Sequence, residues 1–370
     1  MKETMTSRER VLKAFRKIKG TPDRVPIHFD LCKSLLEHFG KKLDIPLKYT
    51  NNLYEDVTYR ISGNEIRTAM GSDIVTTGAG RPLNYQPDIQ SDGTWLNEYQ
   101  MRMKQGPLYT DIIEYPLAHA QSAADIKTYQ FPDPDAEGRY NDAETLIQRH
   151  KEDYYIIGSI GVTIFSLAHQ LVGFQKLLLD MALKAEYIQP LFKACTDFQI
   201  EIAKNLIKRG ADTFWVGDDF GTQSGLLISP EMFNKQLSHH YAHMNERLKS
   251  IKPDAIPILH CDGAVRKLLN SFIEIGFESW NPVQPDVPGH DPQELKNIFG
   301  SDFIFWGAID GQELLPRGTD EALEADIKEK INIFGKNGGF LISPSHILQA
   351  DVSPERVGKF IELCQKHGQY

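Results

Sequence analysis

"AIPILHCDGAVRKLLNSFIEIGFESWNPVQ", residues 255–284, sets a helical stretch between two short apolar runs. "AIPILHCD" and "ESWNPVQ" read as buried strands, and "AVRKLLNSFIEIG" reads as the helix joining them. A strand, a covering helix and a second strand form one unit of a parallel sheet. The same rhythm extends in both directions. Upstream stand the strand "YYIIGSIG", a helix closed by Gly210, the strand "DTFWVGDD" and a helix with Ser229 as N-cap and Pro230 at its first position. Downstream come the helix "PQELKNIFG", the strand "FIFWGAID", the helix "DEALEADIKEKINIFG", the strand "GFLISPSH" and a last helix from Ser353. No Gly-x-Gly-x-x-Gly turn follows the first strand, so a (β/α)8 TIM barrel is expected rather than a dinucleotide-binding sheet.

Before this rhythm begins, the N-terminal part departs from it. "TSRERVLKAFRKI" reads as a helix capped by Ser7 or Thr6, and "DRVPIHFD" as a short strand. Between 66 and 134, "DGTWLNEYQMRMKQ" alternates beside an Asp-Gly turn signal and suggests a β-hairpin excursion. A helix start follows at Ser122. The expectation is one domain over 1–370, a barrel with an N-terminal helical and hairpin elaboration.

The 370 residues and ordinary composition allow a large core. A formal net charge of -9 disfavours nucleic acid and anionic membranes as partners. No apolar run has the length of a membrane span, and the charged, amphipathic start lacks a signal-peptide core. The four cysteines, Cys32, Cys195, Cys261 and Cys364, are scattered, so a reducing, cytoplasmic location is the default expectation.

Active sites of such barrels form at the carboxyl ends of the strands. Here those ends carry Asp30, Asp218 and Asp219, His260 to Asp262, Asn281 and Gln284, Asp310, and Ser345 with His346. Some of these could instead cap the helices that follow, Asp262 among them. On an extended backbone His260 and Asp262 share one face, and Cys261 takes the other as a small buried hydrophobe. Two ligands for a metal would then need a third, for which His346 at the end of the last strand is best placed. The competing reading is a hydrogen-bonded His260 without a metal. His28, on the first strand, is a further pocket candidate. His239, His240 and His243 fall mid-helix among charged residues and read as a solvated face.

The blocks "TSRERVLKAF…DRVP", "GDDFGTQSGLLISPEMF", "ILHCDGAVRKLLNSFIEIGFESWNPVQ", "FWGAID" and "GGFLISPSHILQADVSPERV" occur in an order that resembles the uroporphyrinogen decarboxylase superfamily, nearly end to end. Within it the chain is similar to the corrinoid-linked methyltransferase branch. The true decarboxylases carry an arginine-containing Arg-Gln-Ala-Gly run after the first strand. Here that place reads "HFDLCKS", with Asp30 where a cation would grip a polycarboxylate. The resembling methyltransferases hold zinc through His-x-Cys-Gly and a later Cys, positions matched here by His260, Asp262 and His346.

The resemblance therefore implies a zinc site with imidazole and carboxylate in place of thiolate, a harder Lewis acid suited to oxygen. It implies demethylation of a methoxylated or N-methylated small molecule, with the methyl group passed to a corrinoid (cobalamin) carried by a partner protein. Asp219 or Asp310 would act as general acid. His28, Asp30, Asp218, Gln223, Asn281 and Gln284 are the polar substrate-binding candidates. Trp215, Trp280 and Trp306 are candidates for an aromatic wall, against core packing for at least one of them. A homodimer is left open. The rival readings are a decarboxylase of a smaller substrate, a thiol-directed methylcobamide methyltransferase and a non-catalytic binding module.

Overall fold

The computed structural model describes residues 4–50, 52, 55–106 and 110–370, and among them the strands form two sheets. β1 (Ile74–Gly78) belongs to the main sheet; β2 (Thr94–Leu96), β3 (Arg102–Gln105) and β4 (Thr110–Glu114) make a small antiparallel one. β5 (Tyr155–Val162), β6 (Thr213–Gly217), β7 (Ile258–His260), β8 (Ser279–Val283), β9 (Ile304–Ile309) and β10 (Phe340–Pro344) continue the main sheet. Its seven strands run parallel in chain order, β1-β5-β6-β7-β8-β9-β10, with helices between them. The fold is thus α/β, a curled parallel sheet covered by helices, and TIM-barrel-like.

Both faces of the sheet are buried, which explains the unbroken apolar runs of its strands. Inward-facing Ile74, Tyr155, Ile157, Trp215, Ile258, Ile304, Trp306 and Leu341 form the inner core. The helix Ser7–Ala14 seals the amino ends of the strands by adding Val11, Ala14 and Phe15 to that core. Thr6, not Ser7, caps it, accepting from the Glu9 amide. The outer face packs under helices such as Ile188–Arg209, which buries Leu191, Phe192, Cys195 and Leu206 and ends at left-handed Gly210.

The strand expected in "DRVPIHFD" exists as bridges rather than a ladder. Ile27 pairs parallel with Ile342 and Leu31 with Leu348, so the segment lies beside β10. On its other side, Ile27 donates its amide to the Asp73 carboxylate (2.8 Å) and accepts from the Asp73 amide (2.8 Å), just before β1. Pro26 has no N–H, so side chains supply what the ladder lacks. Asp73 is fully buried and also accepts from Arg10 (2.7 Å), Arg24 (2.6 Å) and Ser7 (2.7 Å).

The span 66–134 is reassigned in part, since β1 inside it is a strand of the main sheet and the antiparallel insertion runs from Thr94 to Glu114. The turn joining β2 to β3 is made by Asn97, whose side chain accepts from the Tyr99 and Met101 amides, with Gln100 left-handed at φ 60. Asp92-Gly93 only leads into β2. The helix expected from Ser229 to Ser250 divides at Leu237 into Pro230–Gln236 and Ser238–Ile251. Two helices not anticipated, Phe165–Val172 and Phe174–Leu183, part at Gly173, whose φ of 96 an L side chain rarely adopts. No helix among the described residues is long and apolar enough to cross a membrane.

Breaking a buried ion pair from one side leaves an uncompensated charge and costs about 3–5 kcal/mol. Asp73→Ala should lower unfolding free energy in urea by that order, since two guanidiniums and the Ile27 amide lose their acceptor. A loss within about 0.5 kcal/mol, the ordinary surface value, would show that the bridges alone hold the segment.

Candidate active site at the carboxyl ends of the strands

β7 stops at His260, which stands in register with Gly217 of β6 and Asn281 of β8. Alternation puts His260 and Asn281 on the inner face and sends Cys261 and Trp280 outward. Asn281 Oδ1 lies 2.8 Å from His260 Nδ1. Because an amide oxygen can only accept, this contact puts the ring proton on Nδ1 and leaves the Nε2 lone pair toward the strand ends. The ring also rests 5.4 Å from that of Trp215.

His260 Nε2 and His346 Nε2 each lie 3.7 Å from Asp262 Oδ2. The three residues expected to share a metal therefore converge. A fourth joins them, because ligand atoms of Asp219, His260 and Asp262 all lie within 4.8 Å of one another. Asp219 Oδ1 accepts from the Asp262 amide at 2.9 Å. Asp262 Oδ1 is buried and has no hydrogen-bond donor among the described residues. A carboxylate whose Oδ2 faces two imidazoles while its Oδ1 has no donor, with a second carboxylate beside it, fits a divalent cation. Burial lowers the His346 pKa, with His260 and Arg60 acting in the same direction and Asp262 and Asp219 against it, although 53% of its side chain is exposed.

The loops that carry Asp219 and Asp262 touch through glycine. A Cβ on Gly221 would stand 2.5 Å from the Asp262 carbonyl oxygen, and one on Gly263 only 2.6 Å from the Gly221 carbonyl carbon. The Ala264 amide adds a bond to the Thr222 carbonyl at 2.8 Å. Gln284 braces the same turn by accepting from the Gly263 amide at 3.0 Å and donating to Gln223 at 2.8 Å.

Beneath this cluster, Asp30 is buried between two cations, Arg60 (2.7 Å) and Arg67 (2.6 Å). Burial alone would raise its pKa, but the two guanidiniums outweigh that and hold it well below the usual carboxylate range. His28 lies beside it, 3.2 Å from Ser72 Oγ and edge-on to Trp306, and burial lowers its pKa. Above opens a cavity of about 430 Å³, bounded by His260, His346, Asp219, Trp215 and Arg60 below and by Trp95, Met101, Met103 and Ile112 of the antiparallel insertion above.

Several candidates fall elsewhere. Asp218 is buried and accepts from the Ile164 (2.8 Å) and Ser166 (2.6 Å) amides and the Tyr241 hydroxyl (2.6 Å), so it anchors the start of a helix. Asp310 accepts from the Gln312, Glu313 and Leu314 amides, each at 2.9 Å, and caps a turn instead of facing the cavity. Trp280 is packed in the outer core, with its indole donating to the Cys261 carbonyl at 3.2 Å. Trp306 is fully buried in the inner core below the floor. Gln223 and Gln284 are loop braces. Cys261 is buried, as its outward direction required.

A family model described as uroporphyrinogen decarboxylase matches residues 109–367. The chain belongs to the uroporphyrinogen decarboxylase family. The uroporphyrinogen decarboxylase of Schizosaccharomyces pombe is 26% identical over 188 residues, and the chain spans only 48% of that relative's length. A methylcobamide:CoM methyltransferase of Methanosarcina acetivorans is 23% identical over 268 residues, covering 72% of this chain and 74% of that one. A solved methyltransferase from Methanosarcina mazei superposes with a TM-score of 0.69 at 16% identity, over 98% of this chain and 99% of the other. Within the family the chain fits the methyltransferase branch, as its resemblance implied.

What sequence reading missed is the wall and the floor. Arg60 and Arg67 sit in "TYRISGNEIRTAM", which has no motif, whereas Trp95, Met101 and Met103 alternate within the hairpin segment and carried a usable signal.

The adjacent acids of "GDD" should separate cleanly by substitution. Asp218→Asn is expected to lower stability by about 1–3 kcal/mol in denaturant and leave divalent-metal uptake unchanged. Asp219→Asn is expected to weaken metal uptake at nearly unchanged stability. The reverse pattern would contradict the assignment.

Proposed function

We propose that this chain is a methyltransferase that demethylates a methoxylated or N-methylated small molecule and hands the methyl group to a corrinoid on a partner protein. The observation that carries this reading is the cluster of Asp219, His260 and Asp262, with His346 3.7 Å from the Asp262 carboxylate, at the floor of a cavity of about 430 Å³. His260, Asp262 and His346 would hold a zinc ion, with Asp219 beside them. When bound, that ion would supply Lewis acidity toward a substrate oxygen.

The protein's own groups do the rest. Asn281 fixes the His260 tautomer. Trp95, Met101, Met103 and Ile112 of the antiparallel insertion would confine the substrate from above. Loss of a methyl group leaves an oxygen that needs a proton, and Asp219, on the cavity wall beside His260, is the acid placed to return it. The ligand set has no thiolate, since Cys261 faces outward, which favours an oxygen-bound methyl donor over a thiol acceptor. In this reading the whole of 1–370 acts as one barrel in the cytoplasm, with the 25–31 segment in the eighth place.

A second reading, decarboxylation of a small carboxylated substrate, is favoured by one observation, the cation Arg60 on the cavity floor. It needs no metal.

Purified protein should contain stoichiometric zinc, and His260→Ala or Asp262→Ala should lose it. Chelation should abolish methylation of cob(I)alamin by methoxylated donors, and added zinc should restore it. Asp219→Asn, measured at full zinc occupancy, should lower kcat about a hundredfold or more. A zinc-free protein that releases carbon dioxide from carboxylated substrates would establish the second reading instead.

A further inference from the structure

Arg60 does more than neutralise Asp30. Its Nε donates to Asp30 Oδ2 at 2.7 Å, and its guanidinium carbon lies 4.4 Å over the Trp215 ring, so the plane of the fork is fixed. The other Asp30 oxygen is taken by Arg67 at 2.6 Å. Two guanidiniums on one carboxylate leave a net positive charge. Among the described residues, the terminal amino groups of Arg60 have no hydrogen-bond partner, and its side chain keeps 15% of its surface open where it lines the cavity.

Apart from Asp219 in the proposed metal cluster, the other charged groups of the wall do not cancel this charge. Glu55 is engaged by the Ile61 and Ser62 amides, and burial raises its pKa. Arg139 and Glu98 neutralise each other at 2.6 Å. Arg81, also on the wall, has no carboxylate partner among the described residues, and its buried Nε has no acceptor.

We propose that Arg60 receives a carboxylate of the substrate, which is therefore a small carboxylic acid with an apolar, ring-sized body. This rests on the reading of the cavity as the methyl donor's site. A guanidinium held on its Nε edge by Asp30 keeps its remaining N–H donors in one plane, which suits a planar carboxylate. Trp95, Met101, Met103 and Ile112 supply the apolar surface. With the acid end held at Arg60, the opposite end of the molecule is turned toward His260, across the cavity floor.

The test is a binding titration of the zinc-loaded protein by tryptophan fluorescence, without corrinoid, using 4-methoxybenzoate and its neutral amide, 4-methoxybenzamide. The acid should bind about tenfold or more tightly than the amide. Arg60→Met should erase that preference, and Arg60→Lys should keep part of it while sparing the Asp30 ion pair. Equal binding of acid and amide by the wild type, or undiminished preference in Arg60→Met, would overturn the proposal. Should Arg60→Met not fold, the wild-type and Arg60→Lys ratios decide. A preserved acid preference without any methyl transfer would fault the reaction and leave the subsite standing.

Discussion

Buried carboxylates facing guanidiniums hold together the two ends of the curled sheet. β10 and β1 are the ends of the parallel sheet, and the segment between them carries Pro26 and cannot form a full ladder. Asp73 grips one end of that segment through Arg24 and the Ile27 amide, and Asp30, at its other end, is gripped by Arg60 and Arg67. Charges are expensive to bury singly, so each carboxylate here meets two cations. The arrangement that closes the sheet also delivers Arg60 to the cavity, which joins folding to recognition at one residue.

Alternation along the parallel strands decides the chemistry. It aims His260 and Asn281 inward and their neighbours Cys261 and Trp280 outward. The result is a site of imidazole and carboxylate with the thiol excluded, although all these residues are adjacent in sequence. The pairing of His260 with Asn281 works only because β7 and β8 are in register at that position.

The parallel α/β rhythm was legible because the strands of the main sheet are short, mostly apolar runs and several of the helices between them begin at a capping side chain, as at Ser229, Asp291 and Ser353. The convergence of His260, Asp262 and His346 was legible too, since strand ends of such a sheet meet in space. Less was legible where one residue type serves two physical purposes. Asp218 and Asp310 look like Asp219 in sequence, but backbone amides claim both, and only three-dimensional placement separates a cap from a pocket acid. Trp280 and Trp215 differ in the same way, one outside the sheet and one inside. Arg60 was invisible because its partner, Asp30, is thirty residues away and in sequence suggested an uncompensated negative charge.

The glycine contact between the loops after β6 and β7 has a consequence for how this site can change. With Gly221 and Gly263 in backbone contact and Asp219 bonded to the Asp262 amide, the two acids form one mechanical unit. A side chain at either glycine would pry the loops apart and shift both acids together. Adaptation to a different ion or substrate is therefore channelled to His346 and the overlying insertion, which can vary without disturbing that joint.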